Sequence, residues 1–395
     1  DRQARTLGVR RGARRRGRRR PGDRRAGLGS GRGRLHADVG HRTGAHRSAR
    51  RRREDPRREG ASGRCDRRRC HEGDQGSGRC CEGAHLAARA SGSRGIAGVP
   101  GEAVLVPDFL APEGLADCVR YRSGELPEEA TCSTVGFFVP DYIDAPNPEW
   151  MPELANLEVV QLPTVGFDSA LPYLPTGVTL CNAAGVHEQS TAELAVGSII
   201  ARWRGIDRAA RDMTTGRWDH RRGRSLQEAT AVIVGAGGVG TRIATALAAF
   251  GCRPQLVGRT ARDGVLGATQ LPTVLPEADI VVLAVPLTPD TEHLVDREFL
   301  SMLRDGALLV NVARGSVIVT EDLLAEIPRI EAVLDVVDPE PLPPGHPLWS
   351  APGVLITPHI GGDTDAFPRL ARELIGEQVQ RWRRGEPLRN VVRAP

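Results

Sequence analysis

Three polar residues in the last third of this 395-residue chain have the types and spacing to do chemistry. They are Arg314 in Asn311-Val312-Ala313-Arg314-Gly315, Glu340 in Asp338-Pro339-Glu340-Pro341, and His359 in Thr357-Pro358-His359-Ile360-Gly361-Gly362. Each follows a short apolar run of β type, the place where an open α/β sheet puts its ligand crevice. A guanidinium is always charged and matches a carboxylate through two parallel hydrogen bonds. A carboxylate beside an imidazole raises its pKa and keeps a proton available near neutral pH. Together the three could hold an acid that carries a carbonyl group and protonate its oxygen during reduction. Singly, each has a plainer reading: a strand cap, a turn residue before proline, a satisfied loop histidine. Their joint occurrence on three successive strand ends is what favours function.

The elements that must position them begin at Ala103-Val104-Leu105-Val106-Pro107, which reads as a buried strand. Apolar runs at Val135 to Val139, Leu157 to Leu162 and Val178 to Cys181 then alternate with helical stretches, implying a parallel sheet. Thr191 to Arg204 has helical spacing in Leu194, Val196, Ile199 and Ile200. A second series has strands at Ala231 to Val234, Pro254 to Val257, Ile280 to Ala284, Ala307 to Val312, Ala332 to Val336 and Val354 to Ile356, six in all, as a dinucleotide-binding sheet requires. Phe367 to Trp382 reads as one amphipathic helix packing back on the first domain. The expected class is α/β, with two Rossmann-like doubly wound parallel sheets. Residues 101–197 and 363–395 would form a substrate (catalytic) domain, and 198–362 a dinucleotide-binding domain.

Gly235-Ala236-Gly237-Gly238-Val239-Gly240 lies between the Ala231 strand and an alanine-rich helix from Thr241 to Phe250. In that context the glycines have separate tasks: Gly235 permits the tight turn, Gly237 lets backbone approach a pyrophosphate, and Gly240 lets helix pack on strand. Gly238 and Val239 complete the turn. An acid that would hold the adenosine ribose is expected at the end of the next strand. The sequence there is Val257-Gly258-Arg259-Thr260, which offers no carboxylate, whereas Arg259, Thr260 and Arg262 could engage a 2′-phosphate. NADP(H) is therefore expected over NAD(H), unless the arginines are merely exposed and NAD binds through other contacts.

From about residue 103 to 395 the chain resembles the D-isomer-specific 2-hydroxyacid dehydrogenases, the family of glyoxylate/hydroxypyruvate reductases and phosphoglycerate dehydrogenase. The resemblance rests on the glycine-rich turn, Pro286-Leu287-Thr288 with Thr291, Leu308 to Gly315, Leu334-Asp335-Val336 leading to Glu340-Pro341, His346-Pro347-Leu348 and Thr357-Pro358-His359. It implies that Arg314 orients and polarises a small 2-keto acid, that His359 is the acid/base, and that Glu340 supports its imidazolium. It also implies that Thr164-Val165-Gly166-Phe167-Asp168 is a loop holding the substrate carboxylate, with Val165 and Gly166 supplying N–H groups. Thr191 would lie beside the nicotinamide and Asp335 near its carboxamide, with Pro286, Thr291 and Ala313 also on the cofactor. Glutamate at 340 argues against formate dehydrogenase, where the histidine's partner is glutamine.

Bulky Phe167 suggests a small acid such as glyoxylate or hydroxypyruvate. Two alternatives stand beside this reading. One is phosphoglycerate oxidation, which needs further cations for the phosphate. The other is a dinucleotide-sensing, corepressor-like binding protein. The ending Asn390-Val391-Val392 is the family's usual finish, so no regulatory domain is expected after it. A homodimer is expected through the cofactor domain, with Trp203, Trp218 and the apolar face of Thr191 to Arg204 as interface material.

Charge is unevenly spread. The formal value is +5, every one of the 54 basic residues is arginine, and residues 1 to 95 hold roughly thirty of them against about ten acids. That head has too few apolar residues to offset the entropy of ordering, so residues 1–100 are expected to be disordered. Clustered arginines could bind nucleic acid, but no aromatic is interleaved for base stacking, and this use is not expected. No apolar segment follows them as a targeting peptide requires. Cys65, Cys70, Cys80 and Cys81 match no zinc spacing, and no metal is expected. The composition instead leads to the expectation of non-native sequence from a mis-called upstream start in GC-rich DNA; the first methionine is Met151. Scattered Cys118, Cys132, Cys181 and Cys252 suggest buried thiols in a reducing, cytoplasmic compartment. No run has the length of a membrane span.

Overall fold

The computed structural model describes residues 101–394 apart from 116, 117, 123, 125–127 and 143–146. The expectations for the arginine-rich head and its four cysteines lie outside the described residues. Two sheets carry the remainder. The first contains β1 (Ala103–Pro107), β2 (Cys118–Tyr121), β3 (Val135–Phe138), β4 (Val159–Gln161) and β5 (Thr179–Cys181). The second contains β6 (Thr230–Val234), β7 (Arg253–Gly258), β8 (Val265–Gly267), β9 (Ile280–Leu283), β10 (Leu308–Asn311), β11 (Glu331–Leu334) and β12 (Val354–Ile356). The chain then returns, and β13 (Val391–Arg393) joins the edge of the first sheet beside β5.

The orders are β2-β1-β3-β4-β5-β13 and β8-β7-β6-β9-β10-β11-β12. Every pairing is parallel except β13 with β5. Strand residues alternate between two cores. Val232, Val281, Leu283 and Leu309 face one, and Ala231, Ile233, Ile280, Val282, Leu308 and Val310 face the other. A sheet buried on both faces reads as continuous apolar runs, which is why these strands were visible in the sequence. The order reverses between β6 and β9, so the crevice opens at the carboxyl ends of that pair. Gly235 and Ala284 follow those two strands.

The second sheet has seven strands where six were expected. The added β8 is three residues long, too short to show a period, and lies at the edge. β2 and β13 are also edge strands, and β13 makes the first sheet mixed rather than purely parallel. The Glu188–Arg204 helix starts a turn before Thr191 and the glycine-turn helix spans Gly238–Ala249, three residues earlier than propensity suggested. Glycine costs helix stability, but packing here overrides it.

The Glu188–Arg204 helix passes through position 197 and packs Ala192, Ala195, Val196 and Ile199 into the second sheet's core. Its apolar face is therefore used internally. Trp203 is only 4% exposed and lies under the Arg224 guanidinium, so it is not interface material. Just beyond that helix, Ile206, Met213 and Trp218 are among the exposed apolar side chains. Phe367, Ala371, Leu374, Ile375 and Val379 of the Phe367–Arg383 helix cover one face of the first sheet. Phe167 is half-buried and packs part of its ring against the core on the other face. Among the described residues no helix is long and apolar enough to cross a membrane.

Candidate active site

Arg314 is placed by the end of β10. Asn311 closes that strand with no exposed surface; its Nδ2 donates to the Arg314 carbonyl at 2.9 Å and its Oδ1 accepts from the Ala313 N–H at 3.0 Å. This brace fixes the turn in which Arg314 sits. Gly315 is required next to it, because a Cβ there would run into the Val337 carbonyl. The Arg314 side chain then reaches to the first sheet, where Nε donates to Asp168 Oδ1 at 3.2 Å and Nη1 turns back to the Ala313 carbonyl at 2.9 Å. Nη2 lies over Gly166 so closely that a Cβ on Gly166 would overlap it.

The loop beneath the guanidinium is held by its carbonyls. Asn182 Nδ2 donates to the Val165 carbonyl at 2.8 Å and the Thr164 hydroxyl to the Gly166 carbonyl at 2.7 Å. Among the described residues neither the Val165 nor the Gly166 N–H has a hydrogen-bond partner. Two backbone donors without partners and a guanidinium nitrogen thus lie on the same short stretch, donor types suited to a carboxylate. Asp168 and Asn311 were not singled out in the sequence. The signal for Asn311 was a polar residue ending an apolar strand, which burial permits only with partners. Asp168 gave none, since its partner is 146 residues away.

His359 follows β12 with a left-handed backbone (φ 53°), a conformation that needs support in a residue with a side chain. Asp335, directly after β11, supplies it. Its carbonyl accepts from the His359 N–H at 2.8 Å, Oδ1 from the Thr357 hydroxyl at 2.6 Å and the Ile360 N–H at 3.0 Å, and Oδ2 from the Gly361 N–H at 2.9 Å. Asp335, expected near the nicotinamide carboxamide, thus has both carboxylate oxygens bonded to the histidine loop.

His359 Nδ1 and Glu340 Oε1 are 2.5 Å apart, and the Val337 N–H donates to Glu340 Oε2 at 3.4 Å. Nε2 is left without a partner among the described residues. The Glu340 hydrogen bond raises the His359 pKa above its ordinary value; burial and the Arg314 charge oppose this, while the charges of Glu340 and Asp335 add to it. For Glu340, burial disfavours the ionised form, but the His359 hydrogen bond and the His359 and Arg314 charges bring its pKa below the usual carboxylate range. The pair is therefore arranged as carboxylate and imidazolium, with Nε2 free to pass a proton outward.

The glycine-rich turn has the form that a dinucleotide needs. Gly235 has φ +119°, and a Cβ there would strike the Ala284 carbonyl; one on Gly240 would strike the Gly235 carbonyl. Around Gly237, at the start of the helix, nothing lies within 4 Å of where a Cβ would be, so backbone is open to an approaching anion. Gly238 and Val239 form the first helical turn, with Val239 against the core. β7 ends at Gly258, and the next four residues, Arg259 to Arg262, offer no carboxylate. Arg259 and Thr260 are exposed, and Arg262 Nη2 donates to the Ala236 carbonyl of the turn at 2.8 Å. After β9, the Thr291 hydroxyl donates to the Pro286 carbonyl at 2.6 Å and accepts from the Thr288 N–H at 2.8 Å, which fixes that crevice wall. Ala313 and Thr191 are buried, Thr191 with its methyl group towards Gly361. These residues fit a nicotinamide dinucleotide.

Comparison with known proteins agrees with this geometry. Residues 196–361 match the family model described as D-isomer specific 2-hydroxyacid dehydrogenase, NAD binding domain. Glyoxylate reductase of Thermofilum pendens is 35% identical over 249 residues, covering 58% of this chain and 73% of that protein. D-3-phosphoglycerate dehydrogenase of Methanocaldococcus jannaschii is 32% identical over 253 residues; these are 61% of this chain, which spans only 48% of the length of that enzyme. The crystal structure of a D-isomer specific 2-hydroxyacid dehydrogenase from Xanthobacter autotrophicus Py2, in complex with NADPH and MES, superposes with a TM-score of 0.63 at 29% identity, covering 75% of this chain and 98% of that one. With the glycine turn, the arginine and the histidine–glutamate pair all on its strand ends, this chain belongs to the D-isomer specific 2-hydroxyacid dehydrogenase family.

Proposed function

We propose that this protein reduces a small 2-keto acid of the glyoxylate or hydroxypyruvate type to its D-2-hydroxy acid, with NADPH preferred as reductant. The observation that carries the reading is the His359–Glu340 pair at 2.5 Å facing a cleft that also holds the Arg314 guanidinium over the unpaired Val165 and Gly166 N–H groups. The substrate carboxylate binds those two N–H groups and Arg314 Nη2. Arg314 also polarises the keto oxygen. His359 Nε2 gives its proton to that oxygen, and Glu340 holds the imidazolium in orientation and charge before the transfer. The nicotinamide, when bound, supplies the hydride. Thr191, Pro286, Thr291 and Ala313 line its place, Asp335 acts on it through the histidine loop, and the Gly235–Gly240 turn takes the pyrophosphate.

The cofactor preference is supported by Gly258, which offers nothing to a ribose 2′-hydroxyl, and by Arg259, Thr260 and Arg262 around the same corner. The NADPH complex of the Xanthobacter relative is consistent with it. A homodimer is supported by Ile206, Met213 and Trp218, which are 54%, 80% and 95% exposed on one stretch of the cofactor-binding side. Loss of reduced-nicotinamide absorbance with a panel of 2-keto acids tests the activity. We expect turnover with glyoxylate or hydroxypyruvate that His359→Ala abolishes; no turnover with any acid, despite cofactor binding, would remove the proposal.

A further inference from the structure

His187 lies outside the constellation described above and carries none of its chemistry. It is 8% exposed and sits at the start of the Glu188–Arg204 helix, where the chain leaves the first sheet for the second. Its Nε2 is 2.8 Å from the Pro163 carbonyl, and its Nδ1 is 3.1 Å from the Gly362 carbonyl. Pro163 immediately precedes the Thr164–Gly166 loop, and Gly362 comes three residues after His359. One ring thus joins the segment that presents the two free N–H groups to the segment that presents the imidazole.

The surroundings show that the ring is placed for this task. It stacks on Phe367 with centroids 5.0 Å apart and planes 16° from parallel, and the Tyr142 ring meets it edge-on at 6.4 Å. Gly362 must be glycine for the ring to fit, since a Cβ there would come within 2.6 Å of His187 Nδ1. Ser190 and Thr364 add a second tie at the same crossing, with their hydroxyl oxygens 3.0 Å apart. Gly362 to Thr364 is also where the chain returns to the first sheet. Both chain crossings therefore meet at His187. Carbonyl oxygens only accept, so a neutral ring donates to the Pro163 or the Gly362 carbonyl according to its tautomer and meets the other in contact, while an imidazolium would donate to both. In each case a buried polar ring is held at both segments, where burial alone would be met by an apolar residue at lower desolvation cost.

We propose that His187 is a positioning residue that pins the carboxylate-holding loop to the catalytic-histidine loop. It thereby fixes the distance between the bound acid and His359. The inference rests on the roles proposed above for those two loops. Small errors in this distance act on the chemical step far more than on cofactor binding, because neither carbonyl that His187 meets belongs to the glycine turn.

The test compares wild type with His187→Phe, which keeps a stacked ring but no hydrogen bond, and His187→Gln, which keeps amide N–H donors. For His187→Phe we expect KM for the keto acid to rise and kcat to fall, each about tenfold, with the NADPH dissociation constant within about twofold. The primary isotope effect from deuterated NADPH should increase, because hydride transfer becomes more fully limiting. Amide hydrogen exchange should quicken together in 163–166 and 360–364, and His187→Gln should recover part of each change. A lower melting temperature with unchanged kinetics per folded enzyme, or faster exchange in only one segment, would overturn the assignment. If wild type itself reduces no keto acid, the proposed activity fails, and the exchange experiment still decides whether His187 joins the two loops.

Discussion

Gly166→Ala isolates the meeting of the two sheets at a cost of one methyl group. Gly166 has no left-handed backbone requirement, so alanine brings no strain of its own. On that ground the substitution should be neutral or slightly stabilising, by about 0.4–1 kcal/mol, through the unfolded chain. The new Cβ, however, would occupy the position of Arg314 Nη2. Arg314 must then swing away, since its Nε is held by Asp168 at 3.2 Å and its Nη1 by the Ala313 carbonyl. A hydrogen bond to a charged group contributes about 1.5–3 kcal/mol, and the displaced arginine would lose at least one to the bound acid. At about 1.4 kcal/mol per tenfold, kcat/KM for the keto acid should fall roughly 10- to 100-fold. Initial rates over a range of keto acid, NADPH binding by fluorescence and a urea melt would be measured on one preparation. The reasoning is refuted if kcat/KM stays within about twofold of wild type, or if the loss is matched by lost stability.

Other outcomes follow from the same geometry. Glu340→Gln removes the main cause of the raised His359 pKa, so the alkaline fall in kcat/KM for reduction, where His359 loses its proton, should move to lower pH; an unmoved or upward limb would contradict the pairing. Linkage gives a companion sign: the raised His359 pKa stabilises the fold below its unfolded value and that contribution is lost as pH rises through the folded pKa. The lowered Glu340 pKa stabilises above its unfolded value and is lost as pH falls through the folded one. With both side chains more than a third exposed, removing the pair should cost only about 0–1 kcal/mol, largest between those limits in melts across pH. Asn311→Ala leaves the buried Ala313 N–H without its partner and the Arg314 carbonyl with the Val317 N–H alone, so urea denaturation should show a loss of about 1–3 kcal/mol; under about 0.5 kcal/mol would mean that the turn holds itself. Arg259→Ala should lower kcat/KM for NADPH about tenfold and leave NADH unchanged, and an equal effect on both cofactors would rule out a contact with the 2′-phosphate.

The parts legible in the sequence were those with a local cause. Buried parallel strands announce themselves as apolar runs, and the glycine turn is written in six consecutive residues because each glycine answers a local steric demand. Arg314, Glu340 and His359 stood out as polar residues past such runs. The edge strands β2, β8 and β13 had no such signal, being short and buried on fewer sides. The partners were hidden for a different reason. Asp168 meets Arg314 across 146 positions, and His187 meets Gly362 across 175. Nothing periodic links such pairs, and only the folded backbone brings them together. Trp203 failed in the opposite direction, since a large apolar side chain expected at a surface turned out to belong to the nearest core.

A division of labour follows from where burial falls. The groups that would meet substrate, Arg314, Glu340 and His359, are all partly exposed, as groups that bind and release a small acid must be. Exposed side chains on loops have little to hold them, and the loops that carry Arg314 and His359 are fastened underneath by polar residues with almost no exposure: Asn311 under Arg314, Asp335 under His359, and His187 between the His359 loop and the Thr164 loop. Each anchor bonds to backbone. Backbone bonds fix where a loop lies without restricting the rotamer of the side chain that it carries. The reacting groups therefore keep freedom to adjust to the acid while their attachment points stay fixed. Replacing a reacting residue should then remove a chemical step from a stable protein, whereas replacing an anchor should degrade stability and positioning together, and the two classes can be told apart by measuring both.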